Sequence, residues 1–196
     1  MTIHFVTSNS GKVKSMQQHL VGLDITVKQV KLPLVEPQAN TVEEVARSKA
    51  RQAFELLKEP VVVEDSAFCI DELQGFPGPY AKYILETIGI DGILKLTESL
   101  TSRSCHFESV LVYIDASGKG KVFTEHGATG TLATEVAPMN TDEAWSELWR
   151  IFIPAGATKP LSILEGAERE KIQTRWQARS KFRQFGEWLK GQGVGA

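Results

Sequence analysis

Two short stretches of the chain carry residue types that can handle phosphate. The first is Thr7-Ser8-Asn9-Ser10-Gly11-Lys12, small residues closing a strand and opening a helix. Such a turn exposes backbone N–H groups at the positive end of a helix dipole, where anions bind readily. Thr7, Ser8 and Ser10 offer hydroxyls, and Lys12 offers a point charge to a phosphate. The spacing is not that of a Walker loop, and an ordinary strand–helix turn with a surface lysine is the competing reading. The second stretch is Glu64-Asp65-Ser66, directly after the apolar run Val61-Val62-Val63. Ligands of open α/β sheets bind at the carboxyl edge of the strands. Two acids there suit Mg²⁺, which favours one or two carboxylates with substrate phosphates and water completing an octahedron. Asp65 can hold such a metal or orient an attacking water; alternatively, the acids only end the strand and cap the next turn. Glu36, in a Pro-marked loop, and Lys49, in a helix, say little alone. His4, His19, His106 and His126 show no ligand spacing, and no Ser-His-Asp or Cys-His arrangement is present.

The elements that must position these groups follow from periodicity. Thr2 to Thr7 reads as a strand, and Val13, Met16, Gln17 and Leu20 form the stripe of a helix starting near Ser10. Asp24 to Val30 is a second strand. Thr41-Val42-Glu43-Glu44 is a capping box, opening a helix to about Lys58 along Val45, Lys49, Ala53 and Leu57. Pro60 to Val63 is a strand that delivers the acids at its end. This order of strands and helices is that of an α/β sheet. Beyond it lie a Gly75-to-Tyr80 turn, a helix to about Thr87, and another from Asp91 to about Leu100. A Cys105–Ile114 strand then turns through Ser117-Gly118-Lys119-Gly120 into strand between Val122 and Glu135. Thr174 with Gln177 marks the start of the last helix, whose apolar face is Ala178, Phe182, Phe185 and Leu189. The expected organisation is one two-lobed domain over 1–196.

Bulk properties narrow the classes of function. The 196 residues, 42% hydrophobic and 23% charged, make a globular chain; folding at this length buries roughly 70% of the unfolded surface without any staple. A formal net charge of -2 argues against coating a nucleic acid. No apolar run approaches the roughly 18 residues of a membrane span, and no leader is evident, so a soluble cytoplasmic protein is expected. Cys69 and Cys105 lack zinc-ligand spacing and read as a reduced, partly buried pair.

Taken in order, the motifs resemble those of the inosine-triphosphate pyrophosphatase family, enzymes that remove non-standard purine nucleoside triphosphates. That family opens with Thr-Gly-Asn-x-Gly-Lys, matched by Thr7 to Lys12. An acid before Gln follows (Leu34-Val35-Glu36-Pro37-Gln38 here), then Lys-Ala on a helix (Lys49-Ala50). Acidic-Asp-Ser/Thr after a strand is matched by Glu64-Asp65-Ser66, and Gly-x-Pro-Gly-x-Tyr by Gly75 to Tyr80. The resemblance implies an α/β fold, with a mixed twisted sheet in two lobes, flanking helices and the nucleotide in the cleft between the lobes. It implies that Thr7, Ser8, Asn9, Ser10, Gly11 and Lys12 cradle the triphosphate with Lys49 and Ser66, and that Lys12 and Asp65 are catalytic. Glu36 and Asp65 are implied as the Mg²⁺ ligands, Asp65 also activating the water, for cleavage between the α- and β-phosphates. Family members usually dimerise, so a homodimer is expected too.

The C-terminal half departs from the pattern. Anchored on Phe152-Ile153-Pro154, the family's Gly-Phe-Gly-Tyr/Trp-Asp-Pro is replaced by Ser146 to Ile151. Its later Lys aligns with Arg169, and its Ser-His-Arg at the start of the last helix with Gln173-Thr174-Arg175. Arg169 and Arg175 are therefore implied in substrate binding, but the base motif is not retained, and base specificity is expected to be altered or relaxed. Trp145 and Trp149 offer either a stacking surface or a helix's core face. Two alternatives stay open: a nucleotide-binding or sensing protein without catalysis, and a pyrophosphatase for a non-purine triphosphate.

Overall fold

The computed structural model describes residues 1–141 and 144–193, apart from the side chain of His126. In chain order the elements are β1 (Thr2–Val6), α1 (Ser10–His19), β2 (Thr26–Val30), α2 (Val42–Leu57), β3 (Val61–Ile70) and β4 (Pro77–Gly78). There follow α3 (Ala81–Thr87), α4 (Gly89–Leu96), β5 (Ser104–Ile114), β6 (Gly120–Leu132), β7 (Phe152–Pro154), α5 (Gly166–Gln177) and α6 (Lys181–Gly191). The strand order is β2-β1-β3-β5-β6-β7, with β4 beside β3. The sheet is mixed: β1 runs parallel to β2 and β3, while β4 is antiparallel to β3 and β7 to β6. No described helix is long and apolar enough to cross a membrane.

The chain forms two compact units. The first comprises residues 1–66, 109–125 and 179–196. Its core joins Ile3 and Phe5 of β1, Val62 of β3, Leu111 and Tyr113 of β5 and Phe123 of β6 to the apolar stripes of α1 and α6. Val13, Met16 and Leu20 supply the α1 stripe as expected, whereas Gln17 is exposed. Alpha-helical spacing alone did not separate it from its neighbour Met16. The Thr41 capping box is present: Glu44 N–H donates to Thr41 Oγ1 at 3.2 Å and Thr41 N–H to Glu44 Oε2 at 3.0 Å.

The second unit comprises residues 67–108 and 126–178. Its core gathers Phe68, Phe107, Leu132, Trp149, Phe152 and Ile172 among others. Cys69 and Cys105 are free and buried there, and burial pushes their thiols up to about 11 and about 12, which leaves them inert. Beta6 lies against β7 with Gly130 opposite Pro154. A Cβ at Gly130 would stand 2.2 Å from Ile153 O and 2.7 Å from the Phe152 ring. Gly130→Ala is accordingly expected to cost roughly 1–3 kcal/mol or more through overpacking, read as a lower urea midpoint at unchanged m-value; an unchanged midpoint would refute the close approach.

Three sequence expectations need correction. Beta3 does not end at the acids but continues through Ile70, because Phe68 and Cys69 pair with Gly78 and Pro77 of β4. Only the parallel pairing stops there, at Val6 opposite Val63. Thr174 and Gln177 do not open the last helix; they lie inside α5, whose polar surface and single buried residue, Ile172, gave no stripe to read. The last helix is α6, capped by Ser180, whose Oγ accepts from Phe182 N–H at 3.1 Å. Phe182, Phe185 and Leu189 are buried on it as expected, and Ala178 lies outside it, exposed. Finally, α4 spans Gly89–Leu96 rather than running from Asp91 to Leu100.

Candidate active site

The turn after β1 is held by its own side chains. Thr7 N–H donates to Val30 O at 3.1 Å, which ties the strand end to β2. Asn9 N–H donates to Thr7 Oγ1 at 3.1 Å, and Lys12 N–H to Asn9 Oδ1 at 3.2 Å, making Asn9 the N-cap of α1. Thr7 and Asn9 therefore shape the turn, while Ser8, Ser10 and Gly11 are exposed at its surface. At Gly11 a side chain would crowd the cap, its Cβ 3.1 Å from Asn9 Oδ1. The first N–H groups of a helix have no intrahelical acceptors, and α1 carries no acid in its first turn, so its N-terminus is left open to an anion.

Lys12 reaches from this turn to Oε2 of Glu64, whose side chain is only 2% exposed. Lys181 Nζ lies 3.2 Å from Oε1 of the same carboxylate and 3.2 Å from Glu125 Oε2. Lys181 N–H donates to Glu125 Oε2 as well. Burial alone would raise the pKa of Glu64, but the Lys12 and Lys181 ammoniums outweigh it and hold the carboxyl at about 2. Burial likewise works against the charge on Lys181, and Glu64 and Glu125 overcome it, so its pKa lies above the ordinary lysine value. Sequence reasoning missed Lys181 and Glu125. Their one signal was a lysine directly after the cap of an otherwise apolar helix face.

The third group is built by one face of α2. Lys49 Nζ donates to Glu36 Oε1 at 2.7 Å and to Asp65 Oδ2 at 2.9 Å. One helical turn on, Gln52 exchanges hydrogen bonds with the Val35 backbone, at 2.9 Å to its N–H and 2.8 Å to its carbonyl, which fixes the loop bearing Glu36. Asp65 Oδ1 accepts from Ser66 N–H at 3.0 Å. Burial raises the Asp65 pKa above the ordinary value against the pull of Lys49, and the neighbouring Glu64 charge adds to the rise. Lys49 is held above its ordinary value, since Asp65 and Glu36 outweigh its burial.

The first unit thus contains Thr7 to Lys12, Glu36, Lys49, Glu64, Asp65 and Ser66, with Lys49 joining Glu36 to Asp65. Arg169 and Arg175 belong to the second unit. Arg169 Nη2 donates to Thr141 Oγ1 at 2.8 Å, and its guanidinium lies 5.5 Å from the Trp149 ring centroid. Trp149 is buried and meets the half-exposed Trp145 edge-on, so it serves as core, though on a 3-10 turn rather than an α-helix. Arg175 stands in the last turn of α5, where its Nη1 donates to Ala155 O at 3.2 Å. Gln173-Thr174-Arg175 thus closes α5 rather than opening the last helix, which begins after Ser180.

The donor set fits a hard divalent cation. Two carboxylates already converge on one positive group, and Mg²⁺ needs no more than two when phosphate oxygens supply the rest. Among the described residues no group of three His, Cys, Asp or Glu gathers, so a substrate would have to complete the shell.

A helix start open to an anion, two lysines and a pair of carboxylates lie within one unit of an α/β chain, a set of groups suited to a polyphosphate. The family model described as "Ham1 family" matches residues 3–185. A dITP/XTP pyrophosphatase of Methanopyrus kandleri is 37% identical over 195 residues, covering 100% of both chains. Inosine triphosphate pyrophosphatase 2 of Trypanosoma cruzi is 42% identical over 111 residues, 57% of this chain and 56% of its own. The structure of a HAM1 protein from Coxiella burnetii superposes with a TM-score of 0.80 at 21% identity, over 97% of this chain and 99% of that one. The chain belongs to the Ham1 family. The full-length match includes the half in which the base motif is not retained.

Proposed function

We propose that the protein hydrolyses nucleoside triphosphates to the monophosphate and pyrophosphate, with Mg²⁺ as cofactor and a base specificity altered or relaxed from that of its relatives. As a Ham1 family member it is a nucleoside triphosphate pyrophosphatase. The observation that carries the mechanism is the convergence of Glu36 and Asp65 on Lys49 within the unit that also presents the α1 N-terminus. On this reading Thr7 to Gly11 and Lys12 hold the triphosphate, the turn through backbone N–H groups and hydroxyls and Lys12 through charge. Lys49 stands against the phosphate chain, and Ser66 lines the same site. Glu36 and Asp65 would hold Mg²⁺, which when bound neutralises developing charge and polarises a phosphoryl oxygen. Asp65 accepts the proton of the attacking water. Its burial favours that task, because desolvation makes the carboxylate a stronger base even against the pull of Lys49. No covalent nucleophile is required, since phosphoanhydride cleavage rests on positioning and charge stabilisation. Arg169 and Arg175 are the further substrate-binding cations of this reading. We also take the working protein to be a cytoplasmic homodimer, with sedimentation as the check on assembly.

The test is pyrophosphate release from dITP, ITP, XTP, the standard nucleotides and modified pyrimidine triphosphates. Release should require Mg²⁺ and extend beyond the 6-oxo purines. Tight triphosphate binding with no release from any of them would overturn the hydrolytic reading. Strict preference for dITP and XTP would overturn the relaxed specificity alone.

A further inference from the structure

The buried charges behind Lys12 have a purpose that the hydrolytic reading leaves open, and the following inference rests on that reading. Lys12 faces two anions in turn: Glu64 when no substrate is bound, and a phosphate when one is. If Lys12 were the sole partner of Glu64, its departure would strand a buried carboxylate, an expensive state. Here Lys181 remains on the other oxygen at 3.2 Å, and is itself balanced by Glu125 at 3.2 Å. All four groups lie in the first unit, and Lys181 is only 8% exposed, so it cannot swing out to meet the ligand's charge as a surface lysine can.

We propose that Lys181 is a positioning residue for phosphate binding: by holding Glu64 from one oxygen, it frees Lys12, on the other, to engage a triphosphate. Without Lys181 the whole charge of Glu64 falls on Lys12 and competes with the phosphate.

The experiment measures calorimetric binding of inorganic tripolyphosphate, which offers phosphates and no base. Lys181→Met should weaken binding roughly tenfold, a coupling of ordinary size, and Lys181→Arg should restore most of it. In a Lys12→Met background the same Lys181→Met change should have no further effect, because its action passes through Lys12. An equal loss in both backgrounds means Lys181 acts as a distant charge, and no loss in either means it does not act at all; both overturn the proposal. Lys181→Met combined with Glu125→Gln keeps the buried charge balanced and is used if the single variant melts early. The same tenfold loss is expected of it. Failure of the wild-type protein to bind tripolyphosphate would overturn the phosphate site itself, and this inference with it.

Discussion

Asp65→Asn is expected to lower the turnover of pyrophosphate release by about a hundredfold to ten-thousandfold, the range typical of a lost general base. The substitution is nearly isosteric. The introduced amide keeps one oxygen to accept from either Lys49 Nζ or Ser66 N–H, which Asp65 now serves at 2.9 and 3.0 Å, and its nitrogen must face the other. One hydrogen bond is lost, and Lys49 keeps Glu36 at 2.7 Å, so the fold should persist. What disappears is the capacity to take a proton and one of the two negative charges beside Lys49. Circular dichroism and the melting temperature would show a folded variant, and saturating substrate would separate turnover from affinity. Unchanged turnover removes Asp65 from its role.

The second large effect concerns stability in acid. The folded-state pKa of Glu64, about 2, lies below its ordinary value of 4.5. A depressed carboxyl adds stability that is fully present above pH 4.5 and is lost as pH falls toward 2. The difference corresponds to about 3 kcal/mol, undiminished by solvent because the group is fully buried. Asp65, with its raised pKa, acts in the opposite sense and cannot mimic the loss. Urea midpoints between pH 6 and pH 2 should therefore fall more steeply for the wild type than for Glu64→Gln. At neutral pH that variant leaves Lys12 and Lys181 without their shared carboxylate, and should be destabilised by about 3–5 kcal/mol. Parallel acid profiles for the two proteins would show that Glu64 is not held as described.

How far the sequence revealed all this depended on whether the signal was local. The Thr41 capping box needs only residues three apart, and the turn into α1 only six successive small or polar ones; both were legible. The continuation of β3 was not, because two acids inside an apolar strand read as its end, and only the partner β4 shows that it goes on. Alpha5 escaped notice because one buried residue makes no stripe, and Thr174 to Gln177 were read into the last helix as a result. Lys181 illustrates the general limit. A lysine reads as solvated unless its counter-charges are known, and Glu64 and Glu125 lie on β3 and β6, far away in the chain. Motif order, by contrast, identified the family, since it sums several weak local matches.

The first unit is drawn from three separated segments, and that carries a consequence for synthesis on the ribosome. Beta1 and the anion-binding turn emerge early, but the residues that cover Ile3 and Phe5 include Phe182 and Phe185, and the cation that completes Glu64 is Lys181. Until residues 179–191 are made, this unit has an uncovered core and a half-neutralised carboxylate. A nascent chain, or one cut short by a premature stop before α6, is thus a client for chaperones and proteases rather than a partly active hydrolase.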